Sequence, residues 1–171
     1  AIINLTDDSF SGDGLRGDLA RALARAERAL EEGAEMLDIG AESTRPGSDP
    51  VPEAQELERV VRFVEAARGW KVPLSIDTLK PTVMRAALAA GADMINDINT
   101  FRASGAIEAV AAGESGLCVM HMLGQPRTMQ QDPRYADVVG EVTGFLDERV
   151  AALVAAGVAR ERIVLDPGFG F

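Results

Sequence analysis

The strongest constraint on the fold is a rhythm. Six short apolar runs, at 2–5, 36–39, 72–76, 93–95, 117–120 and 163–165, alternate with stretches in which apolar residues recur at helical spacing. Leu19, Leu23, Ala26 and Leu30 form one such stripe, with a start near Asp18 and a stop at Gly33. Leu57, Val60, Val61 and Val64 follow Pro52, and Val83, Met84, Ala87 and Leu88 lie between Pro81 and Gly91. A short helix is expected over 106–112, and a long one carries Val138, Val142, Phe145, Leu146, Val150 and Leu153 up to Gly157. The short runs read as apolar on both faces. Strands of that kind belong to a parallel sheet covered by helices. No linker or low-complexity segment interrupts the rhythm, so residues 1–171 form one domain.

Two architectures fit strict βα alternation. A doubly wound nucleotide binder should carry a Gly-rich turn after its first strand. Here that turn is Asn4-Leu5-Thr6-Asp7-Asp8-Ser9, with neither that pattern nor a phosphate-binding loop. A (β/α)8 TIM barrel instead gathers polar residues from many strand ends at one mouth. The runs end in Asn4, Asp38/Glu42, Asp77, Asn96/Asp97, His121 and Asp166, which favours the barrel. Such a barrel has eight strands and this chain supplies about six, so its C-terminal βα units are expected to be missing.

A formal net charge of -10 argues against nonspecific nucleic-acid or membrane-surface binding. An anionic substrate would need local cations or a metal to offset that field. No apolar stretch reaches membrane-spanning length. Cys118 is the only cysteine, which suits a reducing cytoplasm. Within its apolar run it reads as inert core.

Any single Asp or Asn after a strand is more often a turn former than a ligand. The set carries more weight. Asp77 and Asp166 directly follow runs that should be buried, where a carboxylate needs a partner. Carboxylates at a barrel mouth suit a ligand with several N–H donors, and Asn96 can both donate and accept. The stretch Glu42-Ser43-Thr44-Arg45-Pro46-Gly47 is denser in chemistry than a surface turn requires. Its Arg45 reads as a solvated loop residue or as a contact for an anion or ring. His121, the only histidine, is equally open to packing and to catalysis, and one His with one Cys does not suit a zinc site. Met120 and Phe171 read as core or as flanks of a flat ring.

At these residues the chain resembles dihydropteroate synthase, a pterin-binding TIM-barrel family. The resemblance covers nearly the whole chain. It rests on Ile3-Asn4-Leu5-Thr6-Asp7-Asp8-Ser9-Phe10-Ser11, Glu42-Ser43-Thr44-Arg45-Pro46-Gly47, Ser75-Ile76-Asp77-Thr78, Ile95-Asn96-Asp97-Ile98, Met120-His121-Met122 and Asp166-Pro167-Gly168-Phe169-Gly170-Phe171. It implies condensation of 6-hydroxymethyl-7,8-dihydropterin diphosphate with p-aminobenzoate, giving dihydropteroate and pyrophosphate. It further implies that Asp77, Asn96 and Asp166 bond the pterin edge, and that Ile98, Met120 and Gly170 line its pocket. Asn4 matches the residue that helps hold Mg²⁺ and the pyrophosphate. Thr44, Arg45 and Pro46, with Phe171, match the parts that close over the pyrophosphate and the p-aminobenzoate ring. Sulfonamides would act as inhibitors, and the full-length protein would be a homodimer.

Two departures stand out. Asp7 occupies a position where the family usually has Pro. The family's Ser-Arg-Lys and Arg-x-His segments, on strands seven and eight, have no counterpart here, so 171 residues alone are expected to bind pterin weakly and turn over little. Rival readings are a methyltetrahydrofolate:corrinoid methyltransferase on the same barrel and a non-catalytic pterin-binding or scaffold subunit.

Overall fold

A computed structural model describes residues 1–5, 14–42, 50–124 and 132–169, the side chains of 14–18 excepted. Six strands form one sheet: β1 (Ile2–Asn4), β2 (Leu37–Gly40), β3 (Leu74–Asp77), β4 (Met94–Asp97), β5 (Gly116–Met120) and β6 (Ile163–Asp166). Every neighbouring pair is parallel, and spatial order equals chain order, β1-β2-β3-β4-β5-β6. Consecutive βα units laid side by side without a reversal make the arc of a barrel; a doubly wound sheet would turn back on itself. Six of the eight strands of a TIM barrel are therefore present.

The connecting helices are α1 (Gly14–Glu31), α2 (Glu53–Ala67), α3 (Pro81–Ala90), α4 (Ala106–Val110) and α5 (Val138–Ala155). Helix α2 shows why they form. Val60, Phe63, Val64 and Ala67 fall on one face and are fully buried. Pro81 opens α3, where its missing N–H costs nothing, and Gly91 closes it at φ 116° with its N–H on the carbonyls of Ala87 and Leu88. The Asp137 carboxylate caps α5 by accepting from Gly140 N at 3.1 Å.

The departures from expectation are local. Helix α1 starts at Gly14 and not near Asp18, because Leu15 and Arg16 are good helix formers that carry it back one turn. Strand β3 starts at Leu74 because Pro73 has no N–H to give a neighbour, and the Asp93 carboxylate takes Leu74 N instead at 2.8 Å. Helix α4 stops at Val110. There Arg162, in a 3-10 turn over Arg160–Arg162 that the apolar pattern does not signal, donates to the carbonyls of Val110, Ala111 and Ser115.

The two faces of the sheet differ. Side chains alternate along a strand. Ile3, Leu37, Ile39, Leu74, Ile76, Ile95, Leu117 and Val119 point outward under the helices, each at most 2% exposed. The alternate positions face inward and are mixed: Asn4, Asp38, Ser75, Asp77, Asn96, Cys118, Met120 and Asp166. The expectation of strands apolar on both faces thus holds for the outer face only. The arc's two edges are open, leaving Ile2, Val164 and Leu165 exposed at 68%, 52% and 46%.

Candidate functional site

Of the strand-borne residues singled out in the sequence, Asn4, Asp38, Asp77, Asn96, Met120 and Asp166 share this inner face, and Asp97 does not. Asp77 and Asn96 sit opposite each other in register, as do Met120 and Asp166, while Asn4 closes β1 opposite Gly40. Asn4, Asp77 and Asp166 are the last residues of their strands and Asn96 is the last but one of β4, while His121 follows β5 directly and its N donates to the Asp166 carbonyl at 2.8 Å. Ile98, Met120 and Met122 form a separate buried cluster with Leu79 beside it. An apolar wall therefore stands next to a row of acceptors, as a flat heterocycle with a polar edge requires.

Asp77 is the most perturbed group. Its carboxyl is pushed up to about 8, first by burial and then by the nearby charge of Asp38, with Asp97, Glu56 and Glu42 adding to it. No hydrogen-bond donor among the described residues serves it. At neutral pH it holds a proton that a donor-rich ligand would displace. Asp166 shows how a turn former can also serve a site. Its Oδ1 accepts from Gly168 N at 2.7 Å, which folds the chain back, and Oδ2 remains for a ligand. Gly168 is required there: φ is 75°, and a Cβ would lie 2.1 Å from the His121 carbonyl oxygen.

Asp97 separates from the set. It points outward, fully buried, and accepts from Asn99 N at 2.8 Å and Phe101 N at 2.7 Å. Burial pushes it up to about 6 despite those two N–H groups. It braces a turn in which Thr100 and Phe101 both adopt φ 56°, with their carbonyls held by Arg149 from α5. This turn carries Ile98. His121 is packed: its ring lies edge-on to Phe145 at 5.1 Å and near Tyr135 at 5.8 Å, and burial pulls it down. Cys118 is buried as expected, but on the inner face and not in the helix-covered core. Burial and the charges of Asp166, Asp38 and Asp77 push its thiol up to about 11, so it is no nucleophile at neutral pH.

Strand-end logic picks out Asp38 only as one of a pair with Glu42. The structure separates the two. Asp38 lies one layer below the mouth, where Oδ1 accepts from Ser75 Oγ at 2.6 Å and Oδ2 from Asn96 Nδ2 at 3.3 Å. Period-two counting from Asp77 back through Ser75 and across to Asp38 would have found it. Glu42 belongs to a knot around Lys80. Lys80 Nζ lies 2.5 Å from Glu42 Oε2, 2.5 Å from Glu56 Oε2 and 2.7 Å from the Val51 carbonyl, and Thr78 Oγ1 donates to Glu56 Oε1. Burial pulls the Lys80 ammonium down, yet the hydrogen bonds and charges of the two glutamates outweigh it and hold the group above its ordinary value. Thr44, Arg45, Pro46, Gly170 and Phe171 lie outside the described residues.

A parallel barrel arc with an acceptor-lined, apolar-walled mouth defines a ligand-binding α/β barrel. The family model described as "Pterin binding enzyme" matches residues 1–171, and the chain belongs to that family. It is 50% identical over 172 residues to the dihydropteroate synthase of Neisseria meningitidis serogroup B, covering 99% of this chain and 60% of that protein. The structure superposes on Burkholderia cenocepacia dihydropteroate synthase complexed with 7,8-dihydropteroate with a TM-score of 0.88 at 59% identity, over 100% of this chain and 58% of that one. Against the Yersinia pestis dihydropteroate synthase in a sulfonamide drug complex the TM-score is 0.91 at 46% identity, over 100% of this chain and 62% of that one. The chain spans about 60% of the length of the curated relatives it matches.

Proposed function

We propose that this chain forms the pterin half of a dihydropteroate synthase, joining 6-hydroxymethyl-7,8-dihydropterin diphosphate to p-aminobenzoate with release of pyrophosphate. The observation that carries this is the placement of Asp77, Asn96 and Asp166 on one face at one end of the arc, beside the wall made by Ile98 and Met120. The pterin edge offers ring N–H and amine donors to these acceptors, while its faces contact apolar side chains. With the ring held, the C–O bond to the diphosphate breaks and the arylamine nitrogen forms the C–N bond, losing a proton. Gly170 would complete the pterin pocket. Thr44, Arg45, Pro46 and Phe171 would cover the diphosphate and the p-aminobenzoate ring, keeping water from the electron-poor methylene carbon. Sulfonamides would compete at the p-aminobenzoate position.

Asn4 fits a Mg²⁺ role. Its side chain is exposed at the end of β1 and offers a hard amide oxygen, and Mg²⁺ on a diphosphate typically takes one or two protein ligands and keeps its waters. When bound, Mg²⁺ would neutralise charge on the leaving diphosphate. No helix among the described residues is long and apolar enough to cross a membrane. A cytoplasmic location and a homodimeric full-length protein belong to the same proposal, by resemblance to the family. Residues 1–171 alone, with an open arc, should turn over little.

The test is pyrophosphate release from the pterin diphosphate by the complete gene product, with and without p-aminobenzoate and Mg²⁺. Asp77→Asn and Asp166→Asn should each lower amine-dependent release by at least about a hundredfold, the loss of a charged hydrogen-bond partner in a closed pocket. Full release by either variant, or none by the intact protein, would overturn the assignment.

A further inference from the structure

The inner-face layer below the proposed pterin edge contains one carboxylate, Asp38, whose two oxygens are both engaged. Ser75 Oγ, its partner in register on β3, donates to Oδ1 at 2.6 Å, and Asn96 Nδ2 on β4 donates to Oδ2 at 3.3 Å. Asn96 stands level with Asp77, at the height where the ring would lie. A side-chain amide has two ends that differ chemically and can exchange by a half-turn: a carbonyl that accepts and an NH2 that donates twice. Facing a carboxylate, only the NH2 end is compatible, since a flipped amide would set its oxygen against Oδ2. One N–H is spent on Asp38. The remaining N–H and the carbonyl are presented in a fixed order, with the carbonyl turned away from β2. Asp166, on β6, stands on that far side as a second acceptor.

We propose, building on the pterin reading above, that Asp38 is a positioning residue: it locks the Asn96 amide and thereby makes the pocket select a 2-amino pteridine over its 2-oxo counterpart. The exocyclic amine of a pterin donates, whereas the oxygen of a pteridine-2,4-dione accepts. Against the Asn96 carbonyl and Asp166, the first is paired and the second meets like with like. Ser75 supports the lock by holding the other carboxylate oxygen. Asp38 does not touch the ligand, so its effect falls on discrimination, not on affinity as a whole.

The experiment measures calorimetric binding of 6-hydroxymethylpterin and of the matching 2-oxo compound to the complete gene product. The unaltered protein should favour the 2-amino ligand. Asp38→Asn places an NH2 opposite Asn96, which favours the inverted amide, so the preference should fall by about tenfold or more, mostly through weaker binding of the 2-amino ligand. Ser75→Ala should shift the preference the same way by a smaller factor, and it decides the matter if Asp38→Asn does not fold. A ratio unchanged in the variant that folds overturns the proposal. So does an equal loss of both ligands, the mark of a merely structural residue. If the unaltered protein binds neither ligand, the pterin reading itself falls and takes this inference with it. If it discriminates and Asp38→Asn does so equally, only the role of Asp38 falls.

Discussion

Two carboxylate-rich regions lie close together and behave in opposite ways. Around Lys80, Glu42 and Glu56 share one ammonium, Thr78 fills a remaining acceptor of Glu56, and Lys80 also reaches the Val51 carbonyl. On the inner face, Asp38, Asp77 and Asp166 form no ion pair among the described residues, and Asp77 is left without a hydrogen-bond donor. The first region is closed on itself and ties the end of β2, the start of α2 and the loop after β3 into one body. In the second, Asp38 is satisfied by Ser75 and Asn96, but Asp77 and one oxygen of Asp166 have no donor among the described residues. A buried polar group left unpaired costs stability unless a ligand later pairs it. This difference separates a structural knot from a site more surely than the density of acidic residues does.

The largest effect should come from breaking the knot. Lys80→Met strands Glu56, only 1% exposed, without its cation and should cost about 3 kcal/mol in chemical unfolding. A loss below about 1 kcal/mol would mean that the knot is no firmer than a surface pair. Next is Gly168→Ala, at the edge of the inner face. A Cβ there would lie 2.1 Å from the His121 carbonyl oxygen with φ at 75°, so about 2 kcal/mol should be lost and the Asp166 turn displaced. Wild-type stability in that variant would show that the turn has slack.

A change of pH sharpens the contrast further. Asp77 is raised from an ordinary 3.8 to about 8, so between those values the folded protein holds a proton that the unfolded chain has released. Its contribution is present at low pH and is lost as pH rises through about 8. Asp77→Asn removes that loss. Its melting temperature relative to the unaltered protein should therefore rise from pH 5 to pH 9, and a flat difference would show that Asp77 is not walled in by carboxylates.

Much of this was legible in the sequence. The alternation of apolar runs with helical stripes located all six strands within one or two residues, because burial of an apolar face dictates period and length. The order of polar residues at the strand ends pointed to a barrel mouth, and Asn4, Asp77, Asn96, Met120 and Asp166 do share the inner face. Less legible was what each polar residue does with its lone pairs. Asp97 adjoins Asn96 in sequence yet faces the other way, because successive strand residues alternate. Glu42 and Asp38, four residues apart, belong to different networks.

The sequence by itself determined the strands, the helices and the chemical types available at the strand ends, since these follow from local periodicity and composition. Tertiary structure alone decided that Lys80 closes one acidic cluster, that Asp38 rather than Asp97 stands beneath Asn96, and that Cys118 lines the inner face. The reason is register. A parallel sheet brings residues dozens of positions apart to within hydrogen-bond reach, and a shift of one residue would send each side chain to the opposite face.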